Sequence, residues 1–461
     1  MSSTLFRGRS LPLLLFIAGC SAPRPVPVST ESALKLVGDR QPDRSQAIEA
    51  LALADLDRLD VQIPAEADVV DPSEDGYWHV AAWAWSPEVR SARAHVYEAR
   101  ARIDSAGAPG PVDLRALDHE FGGEDALVEA MATFDLIGLL GLGPSSAARE
   151  LAGTEELLAL AMLEEAIWAA RFRVDRARVR VAAARARAEL LQALHDEAAK
   201  DYPRLVVLER NGRISRAQYA VADGRLHSVE HRASRARDAW TEARTELVLA
   251  SGLPVGHPAL AAEERSWLTE RSSISARTAS IPDDHPVLRA ARIVLARDEA
   301  ALRDVASRAW PGLRFGPHLG FPGDGTRVGG VLNLTLPFPS QWEGELEAAE
   351  VRRDRSEEAY MEVVHEQMAR VDQAQALLLE AIDRRVEHAT PIEDASSSGW
   401  EATRLRFRVN EANTDEWGRA LEKRADAIMV LIEEDESVAL AALDLAEAAG
   451  PRGVTELQEV E

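Results

Sequence analysis

"HSVEH", His227 to His231, sets two imidazoles one helical turn apart with Glu230 between them, a spacing that can hold zinc. A metal site needs a third ligand, and none is apparent nearby. Both histidines also fall off the Leu226 and Val229 seam of the helix they sit on, so a solvated face accounts for them equally well. "GLLGLGPSSAA", Gly138 to Ala148, places glycines where a phosphate loop would, but it lacks the Lys-Ser/Thr ending and a βαβ setting. A corner between strand and helix explains it. The acidic run Glu433 to Glu436 reads as a solvated face. No nucleophile stands with a base and no cofactor fingerprint occurs. The expectation is therefore a protein that is not an enzyme and carries no cofactor or metal.

Cys20 is the single cysteine, which excludes an internal disulfide framework. Arg7 and Arg9 precede the apolar run Leu11 to Phe16, and Ile17-Ala18-Gly19-Cys20 closes it as a signal peptide ending in a bacterial lipobox. The motif resembles those cut by lipoprotein-processing enzymes. That resemblance implies loss of residues 1–19 and acylation of Cys20, each buried methylene contributing about 0.8 kcal/mol of anchoring. Ser21 follows, not the Asp that commonly retains lipoproteins at the inner membrane, which favours the outer membrane. Past the signal no apolar run reaches the roughly 18 to 20 residues of a spanning helix, so any further crossing must use strands.

The elements that carry these residues are long and thin. Aromatics make up 5% of the 461 residues, while Ala, Arg, Glu and Leu dominate, a composition suited to long helices packed through small side chains. Such a length exceeds one compact core, so an elongated chain is expected. The net charge of -24 argues against a nucleic-acid partner.

The chain repeats itself. "SPEVRSAR", Ser86 to Arg93, returns as "HPVLRAAR", His285 to Arg292, and each opens a helix with proline in its first turn. Residues 20–75 read as a lipid-anchored linker, 76–256 as a first repeat, 257–284 as a linker, 285–450 as a second repeat and 451–461 as a tail. In the first repeat Leu160, Ile167, Val174, Val181 and Ala188 form one heptad seam, with Leu163, Ala170, Ala177, Ala184 and Leu191 beside it. Pro203 should kink this arm near its far end. After a turn at Asn211-Gly212 a return helix carries Tyr219, Leu226, Ala233, Trp240 and Leu247 against Ala222, Val229, Ala236, Ala243 and Ala250, completing an antiparallel coiled-coil hairpin. The second repeat places Val364, Val371 and Leu378 beside Ala374 and Ala381, breaks at Pro391 and "SSSG", turns near Asn410 and returns through Trp417, Leu421, Ile428 and Ile432. Gly212 aligns with Asn410, and these two residue types most readily take a left-handed turn.

Each repeat also holds a strand pair. In the second, Leu313, Phe315, Pro317, Leu319 and Phe321 alternate with Arg314, Gly316, His318 and Gly320, and Val328, Gly330, Leu332, Leu334 and Leu336 alternate with smaller or polar residues. Strands of about 9 to 11 residues with one apolar and one polar face suit a tilted bilayer crossing, and a soluble half-buried hairpin would show the same alternation. Open edges are not tolerated in hydrocarbon, so insertion requires several chains to close one barrel. In the first repeat "TFDLIGLLGLG" has the clearest strand character.

Helix, strand pair, long helix, turn and return helix, written twice behind a lipobox, resemble the outer-membrane efflux protein family, the TolC-like channels. The marks are the two helix openings, the turns "LERNGRISRAQY" and "RFRVNEANTDEW", and the strand exit "VLNLTLPFPSQWEGELEAA", which is similar to the heavy-metal branch. The resemblance implies a mainly α protein with a small transmembrane β portion, its hairpins duplicated in tandem. Three chains would form a twelve-stranded β-barrel above a periplasmic α-helical tunnel. It implies a homotrimer coupled through a periplasmic adaptor to an inner-membrane pump. By position it puts Gly212, Ile214 and Ser215, with Asn410, Ala412 and Asn413, at adaptor-docking tips, and Asp415 and Glu416 at the closed mouth. A ring of such carboxylates could gate or filter cations; alternatively the two acids satisfy a helix N-terminus. Competing readings are a lipid-anchored adaptor, which should show one hairpin between β-rich halves, a non-conducting scaffold with the same fold, and an enzyme resting on "HSVEH" alone.

Overall fold

The computed structural model describes residues 29–41, 43–53, 75–106, 113–119, 127–135, 143–261, 268, 277–321, 327–338, 342–451 and 453–456. Cys20, residues 136–142 of the expected first-repeat strand, and the Gly-Asp-Gly turn at 323–325 lie outside them. Two compact units divide the chain, Met1–Arg40 and Gln41–Glu461. The first contributes one helix, α1 (Thr30–Gly38), capped by Ser29.

In the second unit α2 (Arg44–Leu51) and α3 (Asp75–Trp85) precede α4 (Pro87–Ala106), β1 (Asp113–His119) and β2 (Leu127–Asp135). The first hairpin is α5 (Pro144–Ala199), α6 (Tyr202–Arg210) and α7 (Arg216–Ser251). After β3 (Arg277–Ala279) the programme repeats as α8 (Pro286–Ser307), β4 (Gly312–Phe321), β5 (Arg327–Thr335), α9 (Glu343–Arg384), α10 (Thr390–Arg408) and α11 (Thr414–Ala449), with β6 (Val454–Glu456) pairing back to β3.

Heptad seams hold the hairpins together. Ile167, Val174, Val181, Leu163 and Leu191 on α5 are buried, as are Leu226, Val229, Ala233 and Leu247 on α7. At 1.5 Å per residue the 56 residues of α5 span about 84 Å. The helix breaks at Lys200–Asp201, one turn ahead of Pro203, which takes an early position in α6 where its missing N–H costs nothing. α5 packs against α4 and α7 of one rod and α8 and α11 of another, α11 also packs against α7, and α9 packs on α8 and α11.

Each rod is two helices set end to end. Gly252 ends α7 in the left-handed region, and a Cβ there would meet Trp85 Cβ at 2.7 Å, just before α4 begins. Gly450 ends α11, also at positive φ though with an extended ψ, and its Cβ would lie 2.3 Å from His285 Cδ2 at the mouth of α8. The repeated helix openings are thus seats for the repeated helix ends.

Two readings change and one element is added. The second arm does not break at Pro391: "SSSG" is helical, and α9 passes into α10 through a π-helical turn, Arg385–Ala389. Above it the seam runs through Val371, Ala374, Leu378 and Ala381; below, it resumes at Ala389 and continues through Trp400 and Phe407. Ala381 to Ala389 is a step of eight where the heptad asks for seven, and the wide π turn absorbs the extra residue. Of the run Glu433–Glu436, read as a solvated face, only Glu433 is exposed. Asp435 is 5% exposed and accepts from Arg385 Nε at 2.6 Å, Glu436 from Arg187 at 2.6 Å, and Glu434 from Arg384 at 3.3 Å. The addition is α3, which stands at the start of the first repeat, ahead of the repeated helix opening at Pro87. Tyr77, Trp78 and Trp83 bury it between α2, α5 and α7, and an all-round apolar helix is a buried one.

Candidate docking tips and membrane face

The four strands form one antiparallel sheet in the order β1-β2-β4-β5. Register puts the apolar positions on one face: Leu313 opposite Leu334, Phe315 opposite Leu332, Leu319 opposite Val328, and Phe134 opposite Phe315 across the repeats. This face is open. Phe315 is 52% exposed, Val328 76% and Leu332 64%, with Leu334, Leu336 and Phe338 alike. Burial of each such side chain is worth about 1.5–3 kcal/mol, so leaving the row in water costs on the order of 10 kcal/mol. On the opposite face Asp135, Arg314 and Asn333 share one row. Gly316 is obligatory there, since a Cβ would fall 1.7 Å from the carbonyl oxygen of Ala132. β1 and β5 are the sheet's outer strands. Among the described residues no helix is long and apolar enough to cross a membrane.

At the other end of the molecule the two tips share one backbone. Gly212 has φ +65° and Asn410 φ +63°, the latter being the sole non-glycine at positive φ among the described residues. Arg213 N and Ile214 N donate to the Leu208 carbonyl at 2.9 and 3.4 Å; Glu411 N and Ala412 N donate to the Arg406 carbonyl at 2.8 and 3.3 Å. Ser215 caps α7 in a reciprocal box with Gln218, its Oγ accepting from Gln218 N at 3.1 Å while its own N–H donates to Gln218 Oε1 at 2.9 Å. Asn413 caps α11 by accepting from Glu416 N at 2.8 Å. Asn410 in place of a glycine brings a ligand with it, because its Oδ1 accepts from Arg204 of α6 and so links the two tips.

Asp415 and Glu416 are not bare. Asp415 Oδ1 accepts from Arg225 Nη1 at 2.9 Å and Oδ2 lies 2.7 Å from Arg419 Nη2. Gly418 leaves the space through which Arg225 passes, since a Cβ would meet Arg225 Cδ at 2.6 Å. Glu416 occupies the position that Gln218 holds in the first tip; Asn413 Nδ2 donates to its Oε1 at 3.3 Å, and Arg406 stands 3.7 Å away. Both acids thus sit among arginine side chains while Asn413 caps the helix, and Arg225 ties α7 to α11. Sequence reasoning missed Arg225; its only signal was the small residue opposite it at Gly418. Beneath the turn Trp400, Phe407 and Trp417 are buried together, ring centroids 5.8 to 6.1 Å apart. His227 and His231 are exposed, and His227 Nδ1 donates to the Asp223 carbonyl of its own helix at 2.9 Å. Among the described residues no group of three potential metal ligands includes them.

A duplicated helical hairpin under a small antiparallel sheet is the fold of the TolC-like outer-membrane channels. CmeC of Campylobacter jejuni, an outer-membrane channel, superposes with a TM-score of 0.67 at 13% identity over 86% of this chain and 91% of that one. VceC of Vibrio cholerae gives 0.65 at 16% over 82% and 96%, and the transmembrane channel CusC 0.63 at 15% over 85% and 95%. No family profile and no curated protein sequence matches the chain.

Proposed function

We propose that this chain is one third of a passive outer-membrane duct, lipidated at Cys20 and coupled through a periplasmic adaptor to an inner-membrane efflux pump. The observation that carries the proposal is the sheet, with its exposed apolar face and two outer strands, joined to the fold of known outer-membrane channels. Hydrocarbon tolerates no open edge, and three copies supply enough strands to close a barrel with the apolar face toward lipid. The duplicated hairpins then line the periplasmic tunnel. Gly212, Ile214, Ser215, Asn410, Ala412 and Asn413 meet the adaptor, and Asp415 and Glu416 narrow the mouth under the hold of Arg225 and Arg406. A conduit requires no enzymatic chemistry.

Planar-bilayer recording of the purified trimer tests the proposal. We expect steady conductance whose cation preference falls in the Asp415→Ala, Glu416→Ala double variant. Well-folded trimers without conductance would instead favour a scaffold, and an unchanged reversal potential in the double variant would remove the carboxylates from the mouth.

A further inference from the structure

The two tips share a backbone and differ in charge. Arg210, Arg213 and Arg216 surround the first turn, are exposed, and among the described residues have no hydrogen-bonding or ion-pair partner for their guanidinium groups. Their counterparts around the second turn are Arg408, whose Nε donates to Asp201 at 2.7 Å, then Glu411, which is exposed, and Thr414, which is buried. One turn therefore presents three free cations and the other presents none beyond those already paired. This asymmetry is not needed for the turn itself, because the left-handed residue, the paired carbonyl bonds and the helix cap recur in both.

A free arginine cluster stands out on a chain of net charge -24. Salt screens exposed charges beyond about 8–10 Å, so the tip's own three cations, not the net charge of the chain, set what it attracts. The tip lies at the far end of the hairpin from the sheet proposed to meet lipid, with the 56 residues of α5 spanning about 84 Å, so a periplasmic protein rather than that bilayer is within its reach. Guanidinium groups fixed on a rigid turn match discrete carboxylates, which they engage bidentately and with directional preference. We infer that the first tip docks on an acidic face of a periplasmic partner protein through Arg210, Arg213 and Arg216, while the second tip accepts only a neutral or basic face. The inference rests on the tips being adaptor contacts and adds the chemistry that tells one tip from the other. Around a ring of three copies the tips alternate in charge, so a partner with alternating complementary charge fits in one register and is repelled in the other.

The test uses the full-length trimer in nanodiscs and two designed helical hairpins of identical fold, one with three glutamates at its turn and one with three glutamines. We expect the glutamate hairpin to bind about tenfold tighter at 50 mM salt, with the advantage shrinking at 300 mM. The advantage should vanish in the Arg210→Gln, Arg213→Gln, Arg216→Gln variant and persist in Glu411→Gln. Equal binding of the two hairpins, an advantage that survives loss of the arginines, or equally tight capture of phosphatidylglycerol vesicles by this tip would overturn the inference. Bilayer conductance of the same preparation separates the two levels: conducting trimers without hairpin preference sink the charged tip alone, and hairpin preference without conductance sinks the duct alone.

Discussion

His285 joins three helices through one ring. It is fully buried, its Nδ1 accepts from Val287 N at 3.2 Å to cap α8, and Nε2 lies 3.2 Å from Gln367 Nε2 of α9, which itself donates to the Ala448 carbonyl of α11 at 2.6 Å. Burial pushes the imidazole down to about 4. The folded protein therefore holds it neutral, whereas the unfolded chain protonates it near its ordinary value. Between those two values the unfolded state binds more protons, so stability is complete above about pH 6.5 and drains away as pH falls toward 4, by on the order of 3 kcal/mol. His285→Asn keeps a capping side chain and removes the proton. Denaturant midpoints measured between pH 7 and pH 4.5 should fall less steeply in that variant, and an identical slope would acquit His285. The sequence showed this residue only as part of a repeated helix opening. Its depth depends on Gly450, whose missing Cβ makes room for the ring, and no local pattern joins residues so far apart in the chain.

Among the elements, what could be read from sequence follows how local the cause is. Heptad seams on α5, α7, α9 and α11 and the alternation of β4 and β5 are periodic signals, and the structure carries them almost residue for residue. The left-handed turns at Gly212 and Asn410 were legible because few residue types adopt that geometry. Less legible were features defined by a partner. α3, at the start of the first repeat, gave no helical signal because an all-round apolar helix has no period, although Trp78, Trp83 and Trp85 crowd together in it. Strand character was clearest from Thr133 onward, and β2 starts farther back, at Leu127, where its pairing to β4 fixes it rather than its own alternation. The second arm looked broken because its seam slips by one residue and Pro391 excludes the α-helical carbonyl four residues before it. The π turn resolves both at once. Deleting Val386, which is 62% exposed, together with Pro391→Ala should restore an unbroken α-helix with Ala389 one position nearer Ala381, in heptad register. Amide exchange across 385–393 should then slow to the rate of its flanks, with helicity unchanged. If exchange there already matches the flanks in the native chain, the turn is a tight fixture and no loosening is being removed.

For the molecule as a whole, the long helices are stitched sideways by arginine. Arg176 reaches Asp444 at 2.8 Å, Arg187 reaches Glu436 at 2.6 Å, Arg289 pairs with Glu164, and Arg404 with Arg408 closes on the buried Asp201 at the break between α5 and α6. These links close within the chain, whereas among the described residues the sheet does not close: β1 and β5 have no outer neighbour there. The two faces of that sheet therefore make different demands on substitution. If the apolar face meets lipid, Leu332→Arg buries a charge in hydrocarbon and costs about 2–4 kcal/mol near the midplane, enough to deplete assembled protein from the outer membrane. Asn333→Arg, one residue along and on the opposite face, stands in register with Arg314, and a water-filled lumen would accept it at little cost. Membrane fractionation and native gels of the two variants compare the faces directly within the same strand. We expect Leu332→Arg to lose the trimer band and Asn333→Arg to keep it. Equal tolerance would mean that no lipid covers the apolar face, and the barrel would have to be abandoned in favour of a soluble sheet buried against another protein.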